Sequence, residues 1–345
     1  TVTARASDRA GNVQSVFVTG VSANTFTYEL NIPTATITRP IVDRSKSLVT
    51  LSGTAADVSP GAVSRVEVRM QSLEDTAYWN PDGTSGFNID PTSAETSWFT
   101  AKQEGAGWSD WSVSSGVSHF VSGKRYQFHA RAVDNSGNVQ VSYSTTTTTF
   151  DNTSPLTGLT FPTASANTKV LPLISGTLID MPNPVSPAVR GTVNNVYLKL
   201  QRLSDAKWWA GSALKWQTAA SSVTVNEVYG SSWILTSNVP APADLSDGTT
   251  YYASSVGLDN ADGGGNEEGY YHVRSSTFIY DISDPQTGLT NIVHLSTISS
   301  LTSLSGTTVD EPGFSDISKV SARTEKVELS IQRDTDGQYY TGSTW

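Results

Sequence analysis

The chain has 345 residues, with 32 acidic against 22 basic side chains and a formal net charge of −10. Charged residues make up only 16% of it. That excludes an electrostatic grip on nucleic acid, which depends on Lys and Arg neutralising phosphates. Cysteine is absent, so each folded unit relies on its own apolar core and not on disulfides. No run of about 18 apolar residues occurs, so no membrane insertion is expected within these residues, and Thr1 does not open a charged-then-apolar signal segment.

Apolar residues fall in short runs bounded by Gly, Pro, Asn, Asp and Ser, without a helical period sustained over about twelve residues, and the chain reads as all-β. The first landmark is a polar turn, Asp8-Arg9-Ala10-Gly11-Asn12-Val13-Gln14, followed by Tyr28-Glu29-Leu30-Asn31-Ile32-Pro33. Next come Ser52-Gly53-Thr54 with Asp57, and an alternating segment, Val66, Val68 and Met70, whose period of two predicts a half-buried strand. An aromatic pair, Tyr78-Trp79, a single Trp98 and Tyr126 lead to a second polar turn, Asp134-Asn135-Ser136-Gly137-Asn138-Val139-Gln140.

The same blocks then return in the same order. Ser175-Gly176-Thr177 with Asp180 precedes Val196, Leu198 and Leu200; Trp208-Trp209, Trp216 and Tyr251 follow; and a longer turn runs from Asp259 to Gly265-Asn266-Glu267. A third round begins with Ser305-Gly306-Thr307 and Asp310, continues through Val327, Leu329 and Ile331, and reaches Tyr339-Tyr340 and Trp345. The turn recurs after about 125 residues, too long for a solenoid repeat and suited to one small domain per copy.

Aligning the copies gives the expected organisation. Residues 1–33 are the C-terminal strands of one domain, 34–154 and 155–284 are complete domains, and 285–345 are the N-terminal half of a further one. Both ends therefore fall inside domains, as in an excerpt of a longer chain; the rival account has neighbouring chains complete each other's ends. The junctions Phe150-Asp151-Asn152-Thr153-Ser154-Pro155 and Tyr280-Asp281-Ile282-Ser283-Asp284-Pro285 share an aromatic residue, an acid and a proline. Proline restricts its own φ and its predecessor, so these connections are expected to be short and stiff, giving a rod or string.

Phe120 to Tyr126, with Gly123 between, and Leu245 to Tyr251, with Gly248, resemble the approach to the sixth strand of fibronectin type III domains and related immunoglobulin-like sandwiches. The resemblance implies that the hydroxyls of Tyr126 and Tyr251 bond back to the backbone at a corner. Together, the Ser-Gly-Thr block, the alternating strand, the Asp-x-x-Gly-Asn turn and the acid-to-proline junction resemble the tandem immunoglobulin-like repeats of large secreted bacterial surface proteins and adhesins. This implies tandem β-sandwiches in an extracellular or cell-surface stalk, fibre or adhesin. The partners expected are neighbouring copies of the same protein or a cell-surface glycan or protein, with a filament subunit or an adhesive module as alternatives.

Catalysis has little support, because His119, His129, His272 and His294 are not spaced as a metal pair and no nucleophile motif is present. The sharpest chemical candidate is calcium. Junction acids Glu29, Asp151, Asp281 and Asp284, together with Asp57, Asp180 and Asp310 from adjoining turns, offer the clustered oxygen ligands that hard cations take. The plainer reading leaves these acids solvated or in Asx turns, and the Asp-x-x-Gly-Asn turn itself reads as a hairpin tip. Trp108 and Trp208, flanked by loop-like residues, are candidates for stacking on a glycan, whereas Trp79, Trp98, Trp209 and Trp216 recur with the repeat and read as packing. Ser144 and Thr145 to Thr149 form a hydroxyl run that is either glycosylated or simply strand-forming, and the strand reading is preferred.

Overall fold

The computed structural model of the chain describes residues 1–47, 50–114, 119–181, 191–269, 274–310 and 324–345. The chain divides into two compact units, one built mainly on Thr1–Thr153 and the other mainly on residues 154–345. Both are built from strands, as the alternating sequence requires.

The first unit opens with a small pair, β1 (Val2–Thr3) and β2 (Ala23–Asn24), and continues with β3 (Thr34–Arg39), β4 (Arg44–Ser45), β5 (Thr50–Ala56) and β6 (Val63–Ser72). Short strands β7 (Tyr78–Trp79), β8 (Phe87–Ile89), β9 (Phe99–Thr100), β10 (Lys102–Gln103) and β11 (Trp111–Ser114) precede two long ones, β12 (Arg125–Asp134) and β13 (Ser144–Phe150). One sheet runs β10-β11-β5-β3 and the other β4-β13-β12-β6-β7-β8, with β9 also pairing β6. The chain thus leaves β3 in one sheet and re-enters the other at β4, which lies parallel to β13. The apolar faces of the two sheets enclose one core containing Leu51, Val66, Val68, Met70, Trp79, Trp111, Tyr126 and Phe128.

The second unit repeats the plan. Its strands are β14 (Leu156–Phe161), β15 (Ala166–Thr168), β16 (Ile174–Ile179), β17 (Val193–Arg202), β18 (Lys207–Trp209), β19 (Trp216–Gln217), β20 (Val223–Thr224), β21 (Glu227–Tyr229), β22 (Ser232–Leu235), β23 (Thr249–Asp259), β24 (Ser276–Tyr280), β25 (Gln286–Leu289) and β26 (Gly306–Val309). The order β14-β16-β22-β21 faces β15-β24-β23-β17-β18-β19, β20 pairs β17, and β25 pairs β26. Val196, Leu198, Leu200, Trp209, Trp233 and Tyr251 fill its core.

The Ser-Gly-Thr block has a steric cause. Gly53 lies opposite Trp111 across the β5–β11 ladder, and a Cβ at Gly53 would stand 1.9 Å from the Thr36 carbonyl oxygen and 2.4 Å from the indole Cζ2. Gly176 repeats the arrangement, with 1.9 Å to the Gly158 carbonyl oxygen and 2.5 Å to Trp233. Both indoles donate Nε1–H to the carbonyl of the following threonine, Trp111 to Thr54 and Trp233 to Thr177, each at 3.1 Å. Glycine is required so that the largest side chain of each core can lie flat on the strand.

The tyrosines stand as the resemblance implies. Tyr126 and Tyr251 are buried, and their hydroxyl oxygens accept the backbone N–H of Val121 at 2.8 Å and of Ser246 at 2.9 Å. One expectation is not met: Val327 and Leu329 are exposed and, among the described residues, form no ladder, with an isolated bridge nearby between Gln332 and Tyr339. In both earlier copies this segment pairs with the long strand bearing the corner tyrosine.

Candidate cation-binding junction

The Asp-x-x-Gly-Asn turn is a clasp. In each copy the carboxylate accepts both the backbone N–H and the side-chain amide of the asparagine: 2.9 and 2.8 Å for Asp8 with Asn12, 2.8 and 2.8 Å for Asp134 with Asn138, and 2.7 and 2.8 Å for Asp259 with Asn266. Glycine precedes each asparagine with a positive φ, +89° at Gly11, +94° at Gly137 and +75° at Gly265, which other residues adopt only at a cost.

In the first unit this clasp meets two of the sequence candidates. One carboxylate oxygen each from Glu29, Asp57 and Asp134 lie within 4.8 Å of one another. Each comes from a different place: Glu29 from the segment before β3, Asp57 from the residue after β5, and Asp134 from the last position of β12. Glu29 is held by the backbone N–H of Asn31 and by the Asn138 amide at 3.0 Å. Asp57 uses one oxygen to accept the Val58 N–H at 2.8 Å; its other oxygen, Oδ2, is buried without a hydrogen-bond partner. Gly61 leaves room for that oxygen, since a Cβ there would stand 2.3 Å away.

Three buried or half-buried carboxylates this close repel one another, and desolvation amplifies the repulsion. Burial pushes the Asp134 carboxyl up, but the side-chain and backbone hydrogen bonds of Asn138, a hydrogen bond shared with Glu29, and the Ser136 N–H outweigh it and hold it below the ordinary carboxylate range. A dication placed among the three carboxylates offsets that repulsion. The donor set is all oxygen, two of its members stand at or beside strand ends, and the orphaned Asp57 Oδ2 leaves a buried lone pair for a cation to bind. These residues fit a hard cation such as calcium.

Other candidates lie as follows. Asp151 is buried, paired with Arg44 Nη1 at 3.0 Å, and accepts the Ser122 hydroxyl at 3.2 Å. Asp180 is buried and accepts the Met181 N–H at 3.0 Å. In the second unit burial, together with the charges of Asp310 and Asp247, pushes the Asp281 carboxyl up. Asp284 is exposed. Asp134 and Asp259 were not among the sequence candidates; the signal that could have found them was their return at nearly the same distance from Asp57 and Asp180, 77 and 79 residues.

The aromatic candidates divide. Trp108 is not a surface platform: it is 8% exposed and belongs to the first core. Gly107 and Trp108 both take positive φ, +64° and +67°, and the reversal turns the indole inward. Trp208 is half-buried on β18. Of the recurring aromatics, Trp79 and Trp209 are buried as read, while Trp98 and Trp216 are half-buried.

No protein-family model matches the chain, and no curated protein matches it. Among solved structures it is similar to a tetra-tandem repeat in the extending region of a large adhesion protein, at 21% identity and a TM-score of 0.26 over 83% of this chain; the chain spans 57% of the length of that structure. It is also similar to the fibronectin(III)-like modules of Clostridium thermocellum CbhA, at 15% identity, a TM-score of 0.30 and coverage of 72% and 94% of the two chains. Chicken CNTN1 FN1–FN3 domains match at 12% identity, a TM-score of 0.25 and coverage of 75% and 72%. By its own strand order and tyrosine corners, this chain is a tandem array of immunoglobulin-like, fibronectin type III-like β-sandwiches.

Proposed function

We propose that the chain is a non-catalytic, load-bearing segment of an extracellular surface protein of the stalk or adhesin kind, with junctions set by calcium. The observation that carries the calcium reading is the Glu29–Asp57–Asp134 cluster. The sequence repeat supports it, since Asp151, Asp180 and Asp259 occupy the same three positions one period later, and Asp281 and Asp310 the first two of them a period after that. The raised Asp281 carboxyl supports it as well: a carboxylate disfavoured first by burial and then by the charges of Asp310 and Asp247 is relieved by a cation. A junction of this kind ties its carboxylates to one another only while calcium is bound.

The test is calorimetry with and without calcium. Extracellular calcium modules bind with dissociation constants of about 0.1–1 mM. At about a hundredfold excess over a 0.1 mM site the folded state gains about 2.7 kcal/mol, which raises the melting temperature of the first unit by roughly 10 °C. Asp57→Asn removes most of that gain while leaving the calcium-free melting temperature unchanged or higher. A first unit that melts at one temperature in calcium and in chelator refutes the cation reading.

A further inference from the structure

The outer face of β6 and β12, which a two-sheet sandwich can leave to water, is built over in the first unit. Arg69 and His129 stand directly opposite each other across the ladder, as do Glu67 and Arg131. Three rings surround the Arg69 guanidinium, whose carbon lies 4.6 Å from the ring centre of Trp98, 5.0 Å from that of Tyr78 and 5.5 Å from that of Tyr143. Trp98 also carries Arg131, at 4.1 Å. Arg69 is 8% exposed, so its charge is almost wholly out of water. Buried charges and buried polar groups need partners, yet Arg69 Nε has none, and neither have the buried Trp98 Nε1 and His129 Nε2. Among the described residues the carboxylate that reaches Arg69 is Glu95, which is 69% exposed and splits its oxygens between Arg69 Nη1 at 3.4 Å and Arg131 Nη1 at 3.2 Å. Both are longer than the roughly 2.7–2.9 Å of a well-made charge-assisted bond.

We propose that this face is a binding site for a carboxylated sugar, with Glu95 holding the place of the sugar's carboxylate. Three guanidinium groups, Arg65, Arg69 and Arg131, meet two carboxylates, Glu67 and Glu95. The patch is therefore positive in a chain of net charge −10, and it becomes more so once Glu95 swings into water. Glu67 stays behind: it holds Arg65 Nε at 2.8 Å and Arg131 Nε at 2.7 Å, which leaves Arg131 Nη1 to Glu95 or to a ligand. A free carboxylate is not tethered to the turn Pro91–Ser97 and can close to full bonding distance on both arginines. The rings beside them supply the apolar faces on which a pyranose stacks, since Tyr143 is 38% exposed and Trp98 half-buried; an acidic peptide would have no use for such a platform. The fold does not require the cluster. In the second unit the same strand pair carries Tyr197 opposite Val256 and Lys199 opposite Ser254, with no arginine among the four. The arginine pair belongs to one copy of a common scaffold, as a ligand site grafted on a fold does. It shares no residue with the Glu29–Asp57–Asp134 cluster, so sugar and cation effects separate.

The experiment is calorimetric titration of the whole chain, in chelator, with trigalacturonate and with sialyllactose. Each is set against a neutral counterpart, the methyl ester of the first and lactose for the second. At least one acidic sugar is expected to bind about tenfold or more tightly than its counterpart, the factor that one charge-assisted hydrogen bond supplies. Arg131→Gln abolishes that preference, and Lys199→Gln in the second unit leaves it unchanged. Glu95→Gln decides the matter if Arg131→Gln disturbs folding, because Glu95 is exposed. Removing this competing carboxylate is expected to tighten binding about two- to fivefold, the worth of the exposed ion pairs it gives up. Equal binding of acid and neutral sugar, no binding of either acid, or a Glu95→Gln chain that binds no more tightly than the wild type overturns the proposal. Hexaglutamate that binds as tightly as the acidic sugars overturns the sugar in favour of an acidic peptide. None of these results touches the cation reading, which melting in calcium and in chelator tests by itself.

Discussion

Gly53→Ala puts the packing account to its most direct test. The added Cβ would stand 1.9 Å from the Thr36 carbonyl oxygen and 2.4 Å from Trp111 Cζ2. Carbon contacts relax to about 3.5 Å, so β3 and the indole must each retreat by roughly 1 Å or more. Overpacking of this kind costs about 1–3 kcal/mol, and moving the ring also strains its hydrogen bond to Thr54, worth about 1 kcal/mol. Because one obstacle is backbone, the upper end applies, and the expected loss is about 3–4 kcal/mol. Against a typical domain stability of about 5–15 kcal/mol this is a fall of about 10–20 °C in the melting temperature of the first unit. Differential scanning calorimetry of the whole chain reads it, and the second unit serves as the internal reference. Gly83→Ala is the control: nothing lies within 4 Å of its Cβ position, so only its φ of +73° is at stake, at about 1 kcal/mol. Losses for Gly53→Ala no larger than for Gly83→Ala would refute the claim that glycine makes room for tryptophan.

Three further outcomes follow from the same contacts. Gly176→Ala lowers the melting temperature of the second unit and spares the first, because its clash is with the Gly158 carbonyl and Trp233. Tyr126→Phe leaves the Val121 N–H without its acceptor and costs about 1 kcal/mol; burial also raises the Tyr126 phenol to about 12, so in the wild type its contribution to stability is complete below pH 10 and is lost as the pH rises from 10 through 12, a loss that urea titrations show and Tyr126→Phe removes. His129 is depressed to about 4 by burial and by the charge of Arg69. Its stabilising neutral form is fully populated above pH 6.5, and stability falls as the pH drops from 6.5 through 4, so NMR titration of its ring should show no midpoint above 5.

How much of this was legible beforehand depended on whether a residue's role repeats. The alternating Val66, Val68 and Met70 gave away a strand because burial has a period of two, and Trp79 and Trp209 gave away packing because they return with it. Tyr126 and Tyr251 were readable through their spacing from Gly123 and Gly248. Trp108 was not, because its neighbours Gly107 and Ser109 look like loop and the backbone reversal that buries it leaves no mark in composition. Asp134 was read as a turn, which it is; a carboxylate that clasps Asn138 still has lone pairs to offer Glu29 and Asp57, and nothing in sequence says where they face. Gln140 was a bystander in the motif, since a single polar residue carries no periodic signal, yet it ties down Ala35.

The clasp between aspartate and asparagine has a use in engineering. Asp134 and Asn138 are four positions apart and Asp259 and Asn266 seven, yet both pairs make the same two bonds at nearly the same lengths. The clasp thus closes over two loop lengths, three residues and six. Foreign peptide grafted between Asn135 and Gly137 inherits a closed, strand-anchored stem, which makes each repeat a display scaffold whose cargo can be changed without retuning its neighbours.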